Sequence, residues 1–101
     1  MSIQIVKITE SPRLFKRYRV ELSNGQKIDF GQDGEHSFID HKDLNRRKSY
    51  MRRHLGNNTE YDLITNLIPS PSLMSFFLLW SSDNLDENIK TLNKLLKDKY
   101  G

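Results

Sequence analysis

The apolar residues of this chain change their period once, and that change limits the fold more than any other feature. In the first third they alternate with polar residues, as Tyr18, Val20 and Leu22 do, which is typical of strands with one buried face. From Asp40 onward they recur every three to four residues, as in amphipathic helices. Strands followed by helices predict the α+β class, with a small antiparallel three-stranded sheet followed by three to four helices.

The three strands are predicted from alternating segments with turn residues between them. The first covers residues 3–8, and a Ser-Pro pair at 11–12 separates it from the second, around residues 18–22. Asn24-Gly25 favours a type I′ hairpin turn into a third strand at residues 27–30, because both residue types tolerate positive φ.

Four helical segments are predicted after Asp40. They cover Lys42–Leu55, Tyr61–Leu67, Leu73–Trp80 and a final helix from Leu85 to the C-terminal lysines. Ser70-Pro71 indicates a helix start, since serine caps well and proline is tolerated in the first turn. The final helix has acidic residues at its start and lysines near its end, which complements the helix dipole.

The helix predicted at Lys42–Leu55 concentrates the positive charge. Residues 41–56 contain six Lys or Arg against one Asp, a net +5, so the rest of the chain is −2 within a total of +3. We expect Asp40 to be its N-cap. The predicted inward face consists of Leu44, Met51 and Leu55, and the outward face consists of Lys42, Arg46, Ser49 and Arg53.

A row of guanidinium groups on one helix face suits the phosphate backbone of a nucleic acid, because each group can make charge-assisted, bidentate contacts. The alternative is a solvated helix face whose arginines pair with nearby acids. On the second strand, basic residues interleave with Phe15 and Tyr18, a pattern that can hold single strands but also fits residues that simply face water. The predicted nucleic-acid-binding residues are Lys42, Arg46, Arg47, Arg52, Arg53, Arg17 and Arg19.

The histidines raise the question of chemistry. An enzyme could use His41, Asp43 or His54, but thirteen residues of continuous helix would hold the two histidines about 20 Å apart. We therefore predict no metal site, no cofactor and no enzymatic activity.

Composition limits the remaining classes. The 101 residues predict one domain over 1–101, with a strand region at 1–31 and a helical region at 40–101. The absence of cysteine excludes disulfides and thiolate sites. We expect no signal peptide and no membrane partner, because no apolar run approaches the roughly 20 residues needed to cross a bilayer.

Several fragments together resemble a short protein family of unassigned function encoded by large double-stranded DNA viruses of eukaryotes. The fragments are Phe30-Gly31, Asp40-His41-Lys42-Asp43, Arg47-Lys48, Tyr50, Arg53-His54, Ser75 to Trp80, Leu85 and Ile89. The chain departs from that family at Phe76-Phe77, where the family carries Arg-Trp, and at Phe38, where it usually carries tyrosine. The resemblance implies a viral protein and a shared site near His41, Lys42, Asp43, Arg53 and His54, without assigning an activity.

Three hypotheses follow. The leading one is a non-catalytic viral protein that binds nucleic acid through the basic helix. The second is a virion-structural or protein–protein interaction module, in which the same arginines meet an acidic viral protein. The third is a small enzyme that uses His41, Asp43 or His54. We expect an intracellular location in the host cytoplasm or nucleus, with packaging in the virion as a further option.

Overall fold

The computed structural model describes residues 3–34 and 36–101. Strands β1 (Ile5–Glu10), β2 (Lys16–Leu22) and β3 (Lys27–Gln32) form an antiparallel sheet in that order. The helices are α1 (Phe38–His41), α2 (Leu44–Leu55), α3 (Asn58–Thr65), α4 (Pro71–Met74), which continues into a π-helical segment (Ser75–Leu79), and α5 (Leu85–Tyr100). The α+β class and the three-stranded antiparallel sheet are confirmed.

The β2–β3 hairpin is confirmed, but its turn is not type I′. Gly25 has a φ of +92°, whereas Asn24 is not among the residues with positive φ. Leu22 accepts a hydrogen bond from the Gly25 amide and donates its own amide to the Gln26 carbonyl. These bonds define a three-residue loop in which only the last position needs the left-handed conformation, which glycine adopts without strain.

The core lies between one face of the sheet and the C-terminal helices. Val20 and Phe30 on adjacent strands are fully buried against Leu73, Leu78 and the apolar stripe of α5. Each such side chain contributes roughly 1.5–3 kcal/mol by leaving water. The sheet and α5 therefore form the framework on which α1 and α2 are placed.

The predicted helix starts are confirmed for the last two helices. The Ser70 hydroxyl accepts from the Leu73 amide and Pro71 occupies the first turn of α4. Asn84 caps α5 by accepting from the Glu87 amide. Both caps satisfy amides that have no partner within the helix.

The basic helix predicted over Lys42–Leu55 is present as α2, but its predicted start and its Asp40 cap are wrong. Asp40 lies inside α1, where Ser37 is the N-cap and both form a capping box. Lys42 ends α1 in the left-handed conformation, with a φ of +58°. Asp43 then caps α2 by accepting from the Asn45 and Arg46 amides. The chain therefore bends between His41 and Leu44, because the left-handed Lys42 ends α1 and the Asp43 carboxylate caps the start of a new helix.

The predicted inward face of the basic helix is also wrong at its two leucines, whereas Met51, the third predicted member, is half-buried. Leu44 is 64% exposed and Leu55 37%, whereas Tyr50 is 7% exposed and Arg47 and His54 are half-buried. The buried face of α2 is therefore polar and aromatic, rotated by roughly a quarter turn from the leucine stripe. The reason lies in what this face meets, which is the end of the π-helical segment.

Candidate nucleic-acid interface

Four of the predicted cationic side chains are exposed to solvent and have at most one weak partner among the residues that the structure describes. Lys42, Arg46, Arg52 and Arg53 are exposed, as is Lys48 beside them on α2. Arg46 lies 3.8 Å from the Asp43 carboxylate, but that carboxylate already caps α2. A pair this long and this exposed contributes little to stability and leaves the guanidinium free to exchange partners.

Arg47 is turned into the protein. Its Nε donates to the Trp80 carbonyl at 2.9 Å and its second terminal nitrogen donates to the Ser81 carbonyl at 3.0 Å. The guanidinium also lies 5.6 Å from the centre of the Phe38 ring. These carbonyls follow the π-helical segment and have no helical partner, so Arg47 acts as a C-terminal cap supplied by another helix. It is not placed to contact phosphate.

Arg17 and Arg19 on β2 are each held by an aspartate. Arg17 makes two hydrogen bonds of 2.6 Å to the Asp40 carboxylate, joining the sheet to α1. Arg19 makes two of 3.0 Å to Asp29 on β3. The Arg17 guanidinium, with further hydrogen bonds from Ser37, holds the pKa of Asp40 well below its usual range. Both arginines are therefore neutralised within the fold.

An aromatic cluster supports the inner face of α2. Tyr50 stacks on Trp80 with ring centres 4.2 Å apart and planes 5° apart, and it contacts the His54 ring at 4.0 Å. His41 meets the Trp80 ring edge-on at 5.3 Å. Burial raises the pKa of the Tyr50 hydroxyl well above its usual range, so this side chain is neutral.

His41, Asp43 and His54 are not assembled into one group. The Trp80 and Tyr50 rings connect His41 to His54 and lie between them along the cluster. Nδ1 of His41 accepts from the Asp43 amide, so the Asp43 carboxylate is not its partner. Within residues 3–34 and 36–101 no group of three or more His, Asp or Glu side chains is placed to hold a metal ion. The structure offers no triad built on these three residues.

His54 has a partner that the sequence pattern did not indicate. Its Nδ1 lies 2.8 Å from Oε1 of Glu60, and the Ser72 hydroxyl donates to the same oxygen at 3.2 Å. A histidine oriented by a carboxylate can move a proton through its other nitrogen. However, Ser72 donates to Glu60 and not to His54, so the histidine does not activate it as a nucleophile.

A cleft of about 570 Å³ opens where the sheet, α2 and α4 meet. Arg53, Lys16 and Phe15 contribute to it, together with Tyr50 and Trp80. A second depression of about 340 Å³, lined by His41, Arg46, Arg53 and Trp80 among others, adjoins the first through shared residues. The exposed face of α2 therefore borders a concave surface that is lined by both cations and aromatic rings.

The sequence pattern missed Lys16, Phe15 and Glu60 as members of one site. Their separation along the chain, from the β1–β2 connection to α3, gives no periodic signal. The only sequence signal for this part of the site is the mixture of basic and aromatic residues around Phe15.

Residues 6–54 match the model of a family of unknown function, DUF5754. No curated protein and no solved structure matches the chain. The matched segment spans nearly all of the sheet, α1 and nearly all of α2, and it includes every predicted nucleic-acid-binding cation. In the described part of the chain, no helix has the length and apolar character required to cross a membrane.

Proposed function

We propose that this chain is a non-catalytic protein that binds the phosphate backbone of nucleic acid through the outer face of α2. Arg46, Lys48, Arg52 and Arg53 supply the contacts, with Lys42 at the bend before the helix. The resemblance to a family of large double-stranded DNA viruses supports extending the proposal to a viral protein that acts inside the host cell.

The observation that carries this proposal is the uneven neutralisation of the cations. The β2 arginines are paired with aspartates at 2.6 to 3.0 Å, whereas the outer cations of α2 make one ion pair with the residues that the structure describes, the 3.8 Å Arg46–Asp43 pair. A polyanion can replace that weak contact and release its own counterions, which favours association. Phosphate contacts of this kind hold a nucleic acid without reading its sequence.

The proposal is tested by reversing charge on α2 in the variant R46E/R52E and measuring binding of a short DNA duplex and a single strand of the same length. The matched control is K90E/K94E, which makes the same charge change on exposed positions of α5. We expect at least a tenfold weaker affinity in the α2 variant and a much smaller effect in the control. Equal losses in both variants would show that only net charge matters and would contradict a site on α2.

A second candidate is an interaction module for an acidic protein, favoured by the exposed leucines of α2. Leu44 is 64% exposed and Leu55 37%, and both lie beside the cations on the same helix. Apolar side chains bordered by charges are typical of protein interfaces. Under this hypothesis the variant L44S/L55S loses binding to an acidic protein partner, while DNA binding stays unchanged. If R46E/R52E loses DNA binding while L44S/L55S keeps its binding to the acidic protein, the nucleic-acid hypothesis is favoured and the interaction module is contradicted.

A further inference from the structure

The connection between β1 and β2 exposes an aromatic ring that the fold does not use. Phe15 is 73% exposed, and none of the ring pairs in the described residues includes it. Its φ is +69°, a conformation that residues with a side chain seldom adopt. Its carbonyl accepts from the Asp33 amide, and the adjacent Lys16 amide donates to the Arg13 carbonyl. The backbone therefore holds a strained phenylalanine outside the core, which is the kind of outlier that marks functional positions.

Phe15 lines the 570 Å³ cleft together with two cations that have no carboxylate partner in the described chain. Lys16 and Arg53 line the same cleft, and neither takes part in an ion pair with the residues that the structure describes. Glu60, the one carboxylate lining this cleft in the described chain, already accepts from Ser72 and is in contact with His54. The cleft edge is therefore suited to an anion.

Polar groups without internal partners also line the cleft. The side chains of Gln32 and Ser75 line the cleft. Neither side chain forms a hydrogen bond with any residue in 3–34 or 36–101. An amide and a hydroxyl provide both donors and acceptors, as the edge of a nucleobase requires. The cleft volume lies within the range of small-ligand sites, so a single nucleotide can enter it.

These features together select a ligand with a negative charge and a flat ring. We infer that the cleft holds one unpaired nucleotide of a single strand, with its base against Phe15 and its phosphate near Lys16 and Arg53. This inference rests on the proposed function, because the strand that supplies the nucleotide also follows the cations of α2. A base within a duplex is stacked on both faces and paired at its Watson–Crick edge, so it cannot enter the cleft, and we expect the protein to prefer single strands.

The variant F15N tests the inference, because asparagine tolerates positive φ while lacking the ring. The control is L14N, which removes an apolar side chain that is 79% exposed on the same connection but does not line the cleft. For an oligothymidylate we expect F15N to weaken binding roughly tenfold and L14N to leave it unchanged, since stacking on one aromatic ring has about that effect. Duplex binding should be equal in both variants.

A mononucleotide separates this inference from the proposed function. Trp80 is the chain's single tryptophan and lines the cleft, so its fluorescence reports on ligand entry. Thymidine 5′-monophosphate should change that fluorescence in the wild type and in R46E/R52E, less in F15N, and inorganic phosphate should not reproduce the change. If R46E/R52E still binds DNA normally while F15N does not, the α2 site fails and the nucleotide site stands.

Three results would overturn the nucleotide site. They are an F15N affinity for single strands equal to that of the wild type, an equal loss in L14N and F15N, and a preference for duplex over single strands. An equal loss in the two loop variants accompanied by loss of binding to anionic vesicles would instead identify the exposed Leu14-Phe15 pair as a lipid contact.

Discussion

At the scale of single residues, the Arg17–Asp40 pair is the interaction whose protonation matters most for the fold. Its two hydrogen bonds of 2.6 Å join β2 to α1, and both side chains are 23% exposed. Arg17 and the Ser37 hydrogen bonds lower the pKa of Asp40. A carboxylate whose pKa is lower in the folded than in the unfolded state stabilises the fold above its unfolded pKa of about 4, and that contribution disappears as the pH falls.

We predict that D40N lowers the free energy of unfolding by about 2 kcal/mol at neutral pH, because it removes the charge from two charge-assisted hydrogen bonds. As the pH falls below about 4, the free energies of unfolding of the wild type and D40N should converge, since protonation of Asp40 removes the same contribution from the wild type. Urea unfolding at neutral and acidic pH measures both values. D43N is the control, because asparagine also caps a helix well and the Asp43 side chain is 45% exposed. A difference that stays constant across this pH range would contradict the prediction.

At the scale of elements, Arg47 fixes α2 to the end of the π-helical segment. Its guanidinium serves the carbonyls of Trp80 and Ser81, which are 33 and 34 residues away. We predict that R47M destabilises the protein by roughly 2–4 kcal/mol, because methionine preserves some apolar packing but leaves both carbonyls without this donor. R46M, at the exposed neighbouring position, should change stability by less than about 0.5 kcal/mol.

Urea unfolding of the two variants provides the measurement, and Trp80 fluorescence reports the local environment. A similar small effect of R46M and R47M would mean that the contacts of Arg47 do not anchor the helix. We expect R47K to recover only a small part of the stability lost in R47M, since one ammonium group lacks the planar fork that reaches both carbonyls.

The same element shows why the sequence predicted some features and missed others. The apolar stripe of α5, including buried Leu92 and Leu96, and the Ser70-Pro71 start of α4 are local signals, and both are confirmed. The orientation of α2 depends instead on stacking of Tyr50 on Trp80 and on the long-range contacts of Arg47. A hydropathy pattern assigns arginines to the exposed face of a helix and leucines to the buried face. It therefore predicted the wrong buried face for α2.

The candidate site was predictable only in part for a related reason. Lys42, Arg46, Arg52 and Arg53 could be identified because their charges are clustered in the sequence and they stay exposed. Whether an arginine is neutralised depends on distant acids, as with Asp40, which pairs with Arg17 across 23 residues. The cleft combines segments from the β1–β2 connection to α4, and a single sequence has no signal for that combination.

At the scale of the whole molecule, internal ion pairs neutralise the arginines of β2 and leave the cations of α2 available to a ligand. Arg17 and Arg19 are balanced by Asp40 and Asp29, while the outer cations of α2 form one weak ion pair within residues 3–34 and 36–101. Nucleic acid binding through such a surface is expected to depend on salt, because each phosphate contact releases a condensed counterion.

For a single strand we predict a slope of roughly −2 to −3 in a plot of log affinity against log salt concentration, since each of three to four contacts contributes about −0.7. R46E/R52E should reduce the magnitude of this slope by about 1 to 1.5, because it removes two of the contacts. F15N should lower affinity at every salt concentration without changing the slope, as removal of an uncharged stacking contact releases no counterions. Fluorescence anisotropy titrations of a labelled oligothymidylate at several salt concentrations measure these slopes. A slope near zero in the wild type would mean that the cations of α2 do not contact phosphate, and a change of slope in F15N would mean that the aromatic ring positions the cations and does not stack on a base.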